Sequence, residues 1–460
     1  MPQNHHQTGN LTTRPIPELI RQIAIPASIG IFFHTMFNVV DTYFAGHVST
    51  QALAALSLSF PAFFLIIAMG SGLQTGTTAL IGNALGSYDH EEAGRLALQG
   101  LVFGVITGIL LTGVGIAVSP WLFRSLGASG DYLAITLEYM DTIFIGAAAF
   151  LLVYMNNAIL QAQGDTRPFR NFLMAGFAAN CVLDPWFIFG GFGVPAMGIQ
   201  GVALATICIQ AGGAAYLGWK ARKTGLVRMQ YWRDLIPQWR PCREIARQGL
   251  PSSLNYMTIG LGIYVITYFV SDFGPQAVAA YGSAMRVEQI ALLPSIGLNI
   301  ATLSLVAQNR GGQRHARIWE TIGKALQYGA IVTGIGTVGV LLLARPLMGV
   351  FTDDPAVVDI GTTYLRIDAL VFFAYVILFV HVAALQGVKR PMFGVWIGLA
   401  RQIVGPALVF SLLIKVLGVG LLGIWWGIFG VTWAAALTAA LVGRRYLARV
   451  LAEDAQRDKT

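Results

Sequence analysis

Two aspartates carry the most chemistry in this chain. Asp41 follows His34 and Asn38 at i, i+4, i+7 spacing, and Asp184 follows Asn180 at i+4. On a helix each set falls on one face. Both lie in apolar stretches, where a charge costs about 2.5–3.5 kcal/mol to insert and usually marks an ion or substrate path. Two carboxylates sharing a semi-apolar pocket cannot both ionise cheaply, so such a pair can carry a proton. With Asn side-chain and backbone oxygens, the set Asp41, Asn180 and Asp184 can instead hold Na⁺, a hard cation that prefers oxygen. Asn38, Tyr139, Asp141, Asn157, Gln161 and Thr206 supply hydrogen bonds for a cavity beside the pair, and His34, Arg286, Glu288 and Asp368 are secondary candidates. Pro26 lies fifteen residues before Asp41. It removes a backbone N–H and clashes with the preceding turn, so it sets a kink where a helix can bend.

Elements that could place these groups follow from composition. Of 460 residues, 55% are hydrophobic and 11% charged, and the mean hydropathy is +0.64. Soluble domains carry roughly 25% charged residues. That excludes a cytosolic multidomain enzyme, a disordered scaffold and a nucleic-acid binder. Cys181, Cys208 and Cys242 show no CxxC or metal spacing, which argues against disulfides and zinc. The first 13 residues lack an apolar h-region, so no cleavable signal peptide is expected. Apolar runs long enough to span roughly 30 Å of hydrocarbon occur at 17–45, 52–80, 95–119, 132–156, 169–190, 197–219, 245–271, 277–307, 318–343, 358–384, 393–415 and 421–442. They are continuous rather than alternating, which selects helices over a β-barrel. Of the Lys and Arg at the ends of these runs and between them, 23 fall at the termini and around the loops after even-numbered spans, against Arg124, Arg345 and Lys415 around the others. The positive-inside rule places both termini in the cytoplasm. If span 1 and span 5 both run outward, Asp41 and Asp184 lie about 8 and 9 Å below the outer helix ends.

The chain repeats itself. TYFAGHVSTQALAA at 42–55 returns as TYFVSDFGPQAVAA at 267–280, an offset of 225. The same offset joins Pro26 to Pro251, Tyr139 to Tyr364, and Leu160-Gln161 to Leu385-Gln386. This predicts an all-α membrane protein of twelve transmembrane helices in two six-helix lobes. An even span count per lobe makes the repeat parallel. The expected organisation is an N-lobe at 1–220, a basic linker at 221–244, a C-lobe at 245–445 and a cytoplasmic tail at 446–460. Parallel repeats with ionisable groups inside the bilayer point to alternating-access transport of a solute bound between the lobes. No enzymatic chemistry is expected and no cofactor, since GxxxxGK[ST] is absent. The repeat frame is shared but its acids are not, since Asp41 corresponds to Ile266 and Asp141 to Arg366. A lipid-linked oligosaccharide flippase is the alternative that Arg286, Arg366 and Arg401 keep open. A membrane-embedded transferase would need clustered acids on a cytoplasmic loop, and Asp353-Asp354 falls on an outer one.

Val39-Val40-Asp41-Thr42 with Gly46, Ala52-Leu53-Ala54-Ala55-Leu56, Gln161 with Gly164-Asp165-Thr166, Asn180 through Asp184-Pro185, Met285-Arg286-Val287-Glu288 and Leu385-Gln386-Gly387 resemble the multidrug and toxic compound extrusion (MATE) family of cation-coupled efflux transporters. The resemblance covers nearly the whole chain and implies a V-shaped MATE-type fold. The Asp41/Asn180/Asp184 set with Pro26 is similar to the DinF-type branch, where a bending first helix and an N-lobe carboxylate pair couple H⁺, or Na⁺, to drug release. By the same resemblance Tyr139, Asn157 and Thr206 match polar positions of the N-lobe cavity. The NorM-type branch carries acids in spans 7 and 10 that this chain lacks, with Tyr375 at the span-10 place, which removes the basis for a C-lobe Na⁺ site. The implied protein is a monomeric antiporter of the bacterial inner membrane. Its partners are the lipid bilayer and a small amphipathic, cationic substrate, not nucleic acid.

Overall fold

The computed structural model describes residues 11–227 and 235–457. Arg228 and Arg233 of the basic linker and Lys459 of the tail lie outside them. The chain is helical in the order α1 (Ile16–Val48), α2 (Thr50–Gly86), α3 (His90–Ser125), α4 (Gly130–Ile145), α5 (Ala147–Ala162), α6 (Arg167–Phe189), α7 (Ile199–Lys223), α8 (Trp239–Ser271), α9 (Pro275–Gly311), α10 (His315–Gly349), α11 (Pro355–Asp368), α12 (Phe372–Gly387), α13 (Met392–Leu399), α14 (Gly405–Ser411), α15 (Leu421–Thr438) and α16 (Arg444–Arg457). Short 3₁₀ or π turns join α11 to α12, α13 to α14 and α15 to α16. Among the described residues, eleven helical segments are long and apolar enough to cross a membrane, or twelve with α4 and α5 counted as one. Large apolar side chains such as Trp121, Ile335 and Leu342 stay exposed, as a lipid-facing surface requires.

Helix starts are written in the sequence. Ser49 accepts from Ala52 N at 3.0 Å, Asp89 from Glu92 N at 2.9 Å and Asp354 from Ala356 N at 2.9 Å, each a side chain satisfying an orphan N–H. Span 4, read from sequence as one run, is two helices bent by 44°. The break is Gly146, where a Cβ would stand 2.5 Å from Ile207 Cγ1. The expected tail is also helical: α16 buries Leu447, Val450 and Leu451 beside Leu11, Ile16 and Leu305, and Arg310 pairs with Asp454 at 2.8 Å.

The repeat reappears in the backbone. Tyr88 and Gln313 both take positive φ (61° and 56°), as do Gly164 and Lys389 (77° and 60°). Thr112 bonds Phe144 O at 2.5 Å and Thr337 bonds Ala369 O at 2.7 Å. Each of these pairs is separated by the same 225 residues. Two compact units result, Met1–Ser28 with Leu254–Thr460, and Ile29–Ser253. Their boundaries fall inside α1 and α8 at equivalent positions. In the first unit Ser28 Oγ donates to Leu293 O at 3.2 Å and a Cβ on Gly297 would meet Ala24 O at 2.5 Å; in the second Ser253 Oγ donates to Met69 O at 3.3 Å. The start of each half's first helix thus packs on the other half's second helix.

Candidate functional site

Within the Ile29–Ser253 unit, α1 brings Asp41 to α6, which carries Asn180 and Asp184. Asn180 and Asp184 are fully buried and Asp41 is 7% exposed. Asn180 Nδ2 donates to Asp41 Oδ1 at 2.6 Å and reaches Phe37 O at 3.5 Å. Asp184 follows Asn180 by one turn of α6, on the same face that meets Asp41. No donor meets either oxygen of Asp184 or Oδ1 of Asn180. Among the described residues neither aspartate forms an ion pair with Lys or Arg. Pro185 follows Asp184 inside α6 and cannot donate to Cys181 O, which loosens the last turns before Gly190 (φ 78°). Tyr139, buried on α4, stands close enough to both carboxylates to feel their charge.

The remaining expected residues divide. His34, Asn38 and Thr206 line a cavity of about 30 Å³ with Phe37, Phe150 and Phe172. Asn38 Nδ2 bonds His34 O at 2.8 Å, and Thr206 bonds Val202 O at 3.0 Å. Gln161 accepts from Gln74 at 2.7 Å, tying α5 to α2. Asn157 is buried with its Oδ1 unpartnered; Asp141 is half-buried with one oxygen unpartnered. Arg286, Arg366 and Glu138 are exposed on their helices, so the structure does not bring Arg286 to a site.

The Met1–Ser28 with Leu254–Thr460 unit holds a second acidic group. Glu288 on α9 accepts from Tyr364 at 2.8 Å and Tyr375 at 3.0 Å. Asp368 is buried with no donor on either oxygen, and Arg401 lies over Tyr375, 4.9 Å from its centroid. Sequence reasoning named Glu288 and Asp368 as candidates, and Tyr364 and Tyr375 only as a repeat mate and a replaced acid, not as donors to Glu288. One signal was available: Tyr364 is the repeat mate of Tyr139, and both stand beside buried acids although the acids occupy different helices.

A MatE family model matches residues 26–186 and 251–411, two segments displaced by 225 residues. The chain belongs to the MatE family. This is a transporter family of the MOP superfamily, so the chain is a multi-pass membrane transporter rather than an enzyme. A probable multidrug resistance protein NorM of Thermotoga maritima is 27% identical over 436 residues, covering 91% of this chain and 90% of that one. An FAD transporter of Shewanella oneidensis is 26% identical over 396 residues, covering 85% and 87%. A MOP superfamily transporter of Pyrococcus furiosus, described as having a binding pocket of reversed polarity, matches with a TM-score of 0.89 at 25% identity, covering 96% and 98%. The MatE fold of this chain thereby agrees with the all-helical, two-fold repeated architecture expected from its sequence.

Proposed function

We propose that the protein is a secondary efflux antiporter of the DinF-type branch, in which H⁺ rather than Na⁺ drives an amphipathic, cationic compound outward by alternating access. The observation that carries this reading is the buried Asp41–Asn180–Asp184 set, to which no Lys or Arg is paired among the described residues. A buried carboxyl without donor or counter-cation is costly to keep charged. It must be neutralised by a proton, a metal ion or a cationic substrate. When one occupant excludes the next, uptake of one requires release of another, which is antiport. Asn180 turns its N–H rather than its amide oxygen to Asp41, so the pair lacks that oxygen as a shared ligand for Na⁺.

The named relatives mark two substrate classes, drugs and FAD. An acid pair with no ion-paired Lys or Arg among the described residues repels the phosphates of a molecule like FAD and suits a cation. The flippase reading weakens because Arg286 and Arg366 are exposed while Arg401 lies beside acids. A cavity of about 30 Å³ holds about one water, whereas drug-sized ligands fill about 300–1,000 Å³. A loaded state therefore needs this space opened, and we assign that motion to α1. The helix continues through Pro26 with one backbone bond missing, so bending there costs less than elsewhere. The drive is about 2.3 kcal/mol per charge per 100 mV, plus any pH difference. The Lys and Arg bias supports cytoplasmic termini, the bacterial relatives support the inner membrane, and a single chain contains the whole site, as a monomer requires.

Dye efflux by inverted membrane vesicles tests the reading. Asp41→Asn is expected to abolish uptake driven by an imposed pH gradient, and a Na⁺ gradient alone should drive little in either protein. Transport by Asp41→Asn at the wild-type rate would remove the coupling assignment.

A further inference from the structure

The second acidic group differs from the first in one respect: it contains a fixed cation. Glu288 is held at both oxygens by Tyr364 and Tyr375. Tyr281, Tyr364 and Trp425 stack around it, with centroids 4.8–6.0 Å apart, so water has little access. Arg401 makes no ion pair within 4 Å among the described residues; its guanidinium lies over the Tyr375 ring instead. Tyr375 in turn donates to Glu288, and Asp368 follows Tyr364, the other donor to Glu288, by one turn of α11. A cation over an aromatic face in a desolvated site is held by the ring quadrupole.

The backbone carries Arg401 there in an unusual way. Residues Ala400–Val404 form a π turn in which Gly405 N–H reaches back five residues to Ala400 O. Pro406 follows and cannot donate to Gln402 O, which explains the widened turn. An inserted residue of this kind rotates the side chains before it relative to those after it. The sequence therefore dedicates a local distortion to the helix position that bears the arginine.

We propose that Arg401 is a tethered counter-cation for Glu288 and Asp368, so that this half of the molecule takes up no exchangeable cation and coupling falls to the Asp41–Asp184 pair alone. The guanidinium sits beside the group, over the tyrosine that donates to Glu288, and its tether keeps it there. This rests on the proposed role of Asp41, and its test is arranged so that the two fail separately: efflux by Asp41→Asn judges that role, whereas Na⁺ binding by the second acidic group judges this one.

Purified Asp41→Asn protein is the background, with thermal unfolding followed in NaCl and in choline chloride. It should show no Na⁺-dependent change. Adding Arg401→Gln should create one, a Na⁺-dependent rise in Tm of about 2 °C or more, and adding Asp368→Asn to that variant should remove it. Arg401→Lys, which keeps the charge, should behave as the background does; a merely structural arginine would not separate Na⁺ from choline in this way. A folded Arg401→Gln variant with no Na⁺ response would overturn the proposal. So would a Na⁺ response in the background that Glu288→Gln or Asp368→Asn removes, a measurement that holds even if Arg401→Gln does not fold.

Discussion

Asn180 decides how Asp41 behaves. Its amide is the donor that meets the Asp41 carboxyl, and a hydrogen bond to a charged group is worth about 1.5–3 kcal/mol. Asn180→Leu keeps the volume and removes the donor. The ionised form of the pair, which under the proposed mechanism receives a cationic substrate, loses that support. Substrate affinity at neutral pH should fall about tenfold to a hundredfold, measured by fluorescence titration, while the helical circular dichroism signal stays unchanged. The pairing itself was legible in the sequence, because helical spacing and equal depth put Asp41 and Asp184 at one level. That Asn180 would turn its N–H rather than its oxygen toward Asp41 was not, since spacing gives no side-chain orientation. The tyrosine donors of Glu288 escaped for a related reason: the repeat marked Tyr364 as the mate of Tyr139, but spacing does not show which way a buried Tyr turns its hydroxyl.

At the scale of the element, α6 holds its two polar residues in place by close packing on α7. A Cβ on Gly201 would stand 2.7 Å from Phe187 C and 2.8 Å from Ile188 N. These are backbone atoms, three and four residues past Asp184, and they cannot swing aside. Gly201→Ala should therefore destabilise the protein by about 1–3 kcal/mol and impair efflux by shifting Asp184, as read by Tm and vesicle transport. Gly212→Ala on the same helix meets nothing within 4 Å and should leave both unchanged. Helix positions were readable from hydropathy because lipid demands long apolar runs. The break at Gly146 was not, because it arises from a contact with Ile207 of another helix rather than from local composition.

For the whole molecule, duplication supplies the frame and divergence supplies the chemistry. The 225-residue offset fixes turns, threonine bonds and the boundaries of the compact units, yet each half places its acids on different helices. The repeat was legible because shared turn residues survive at matching positions. The exchange of helix starts was hidden, since α1 and α8 are equivalent and either partner satisfies the same Ser and Gly contacts. If the first half alone exchanges ions, its carboxylate pair must hold a proton when empty and surrender it to a cationic substrate. Affinity for that substrate should then rise with pH, because protons compete for the same carboxyls.

The most direct measurement is proton release from purified protein in weakly buffered detergent on addition of a saturating cationic substrate. The account predicts release from wild type, diminishing as pH rises and the pair empties beforehand, and none from Asp41→Asn or Asp184→Asn. Substrate binding without release by wild type, or undiminished release by both variants, would contradict it.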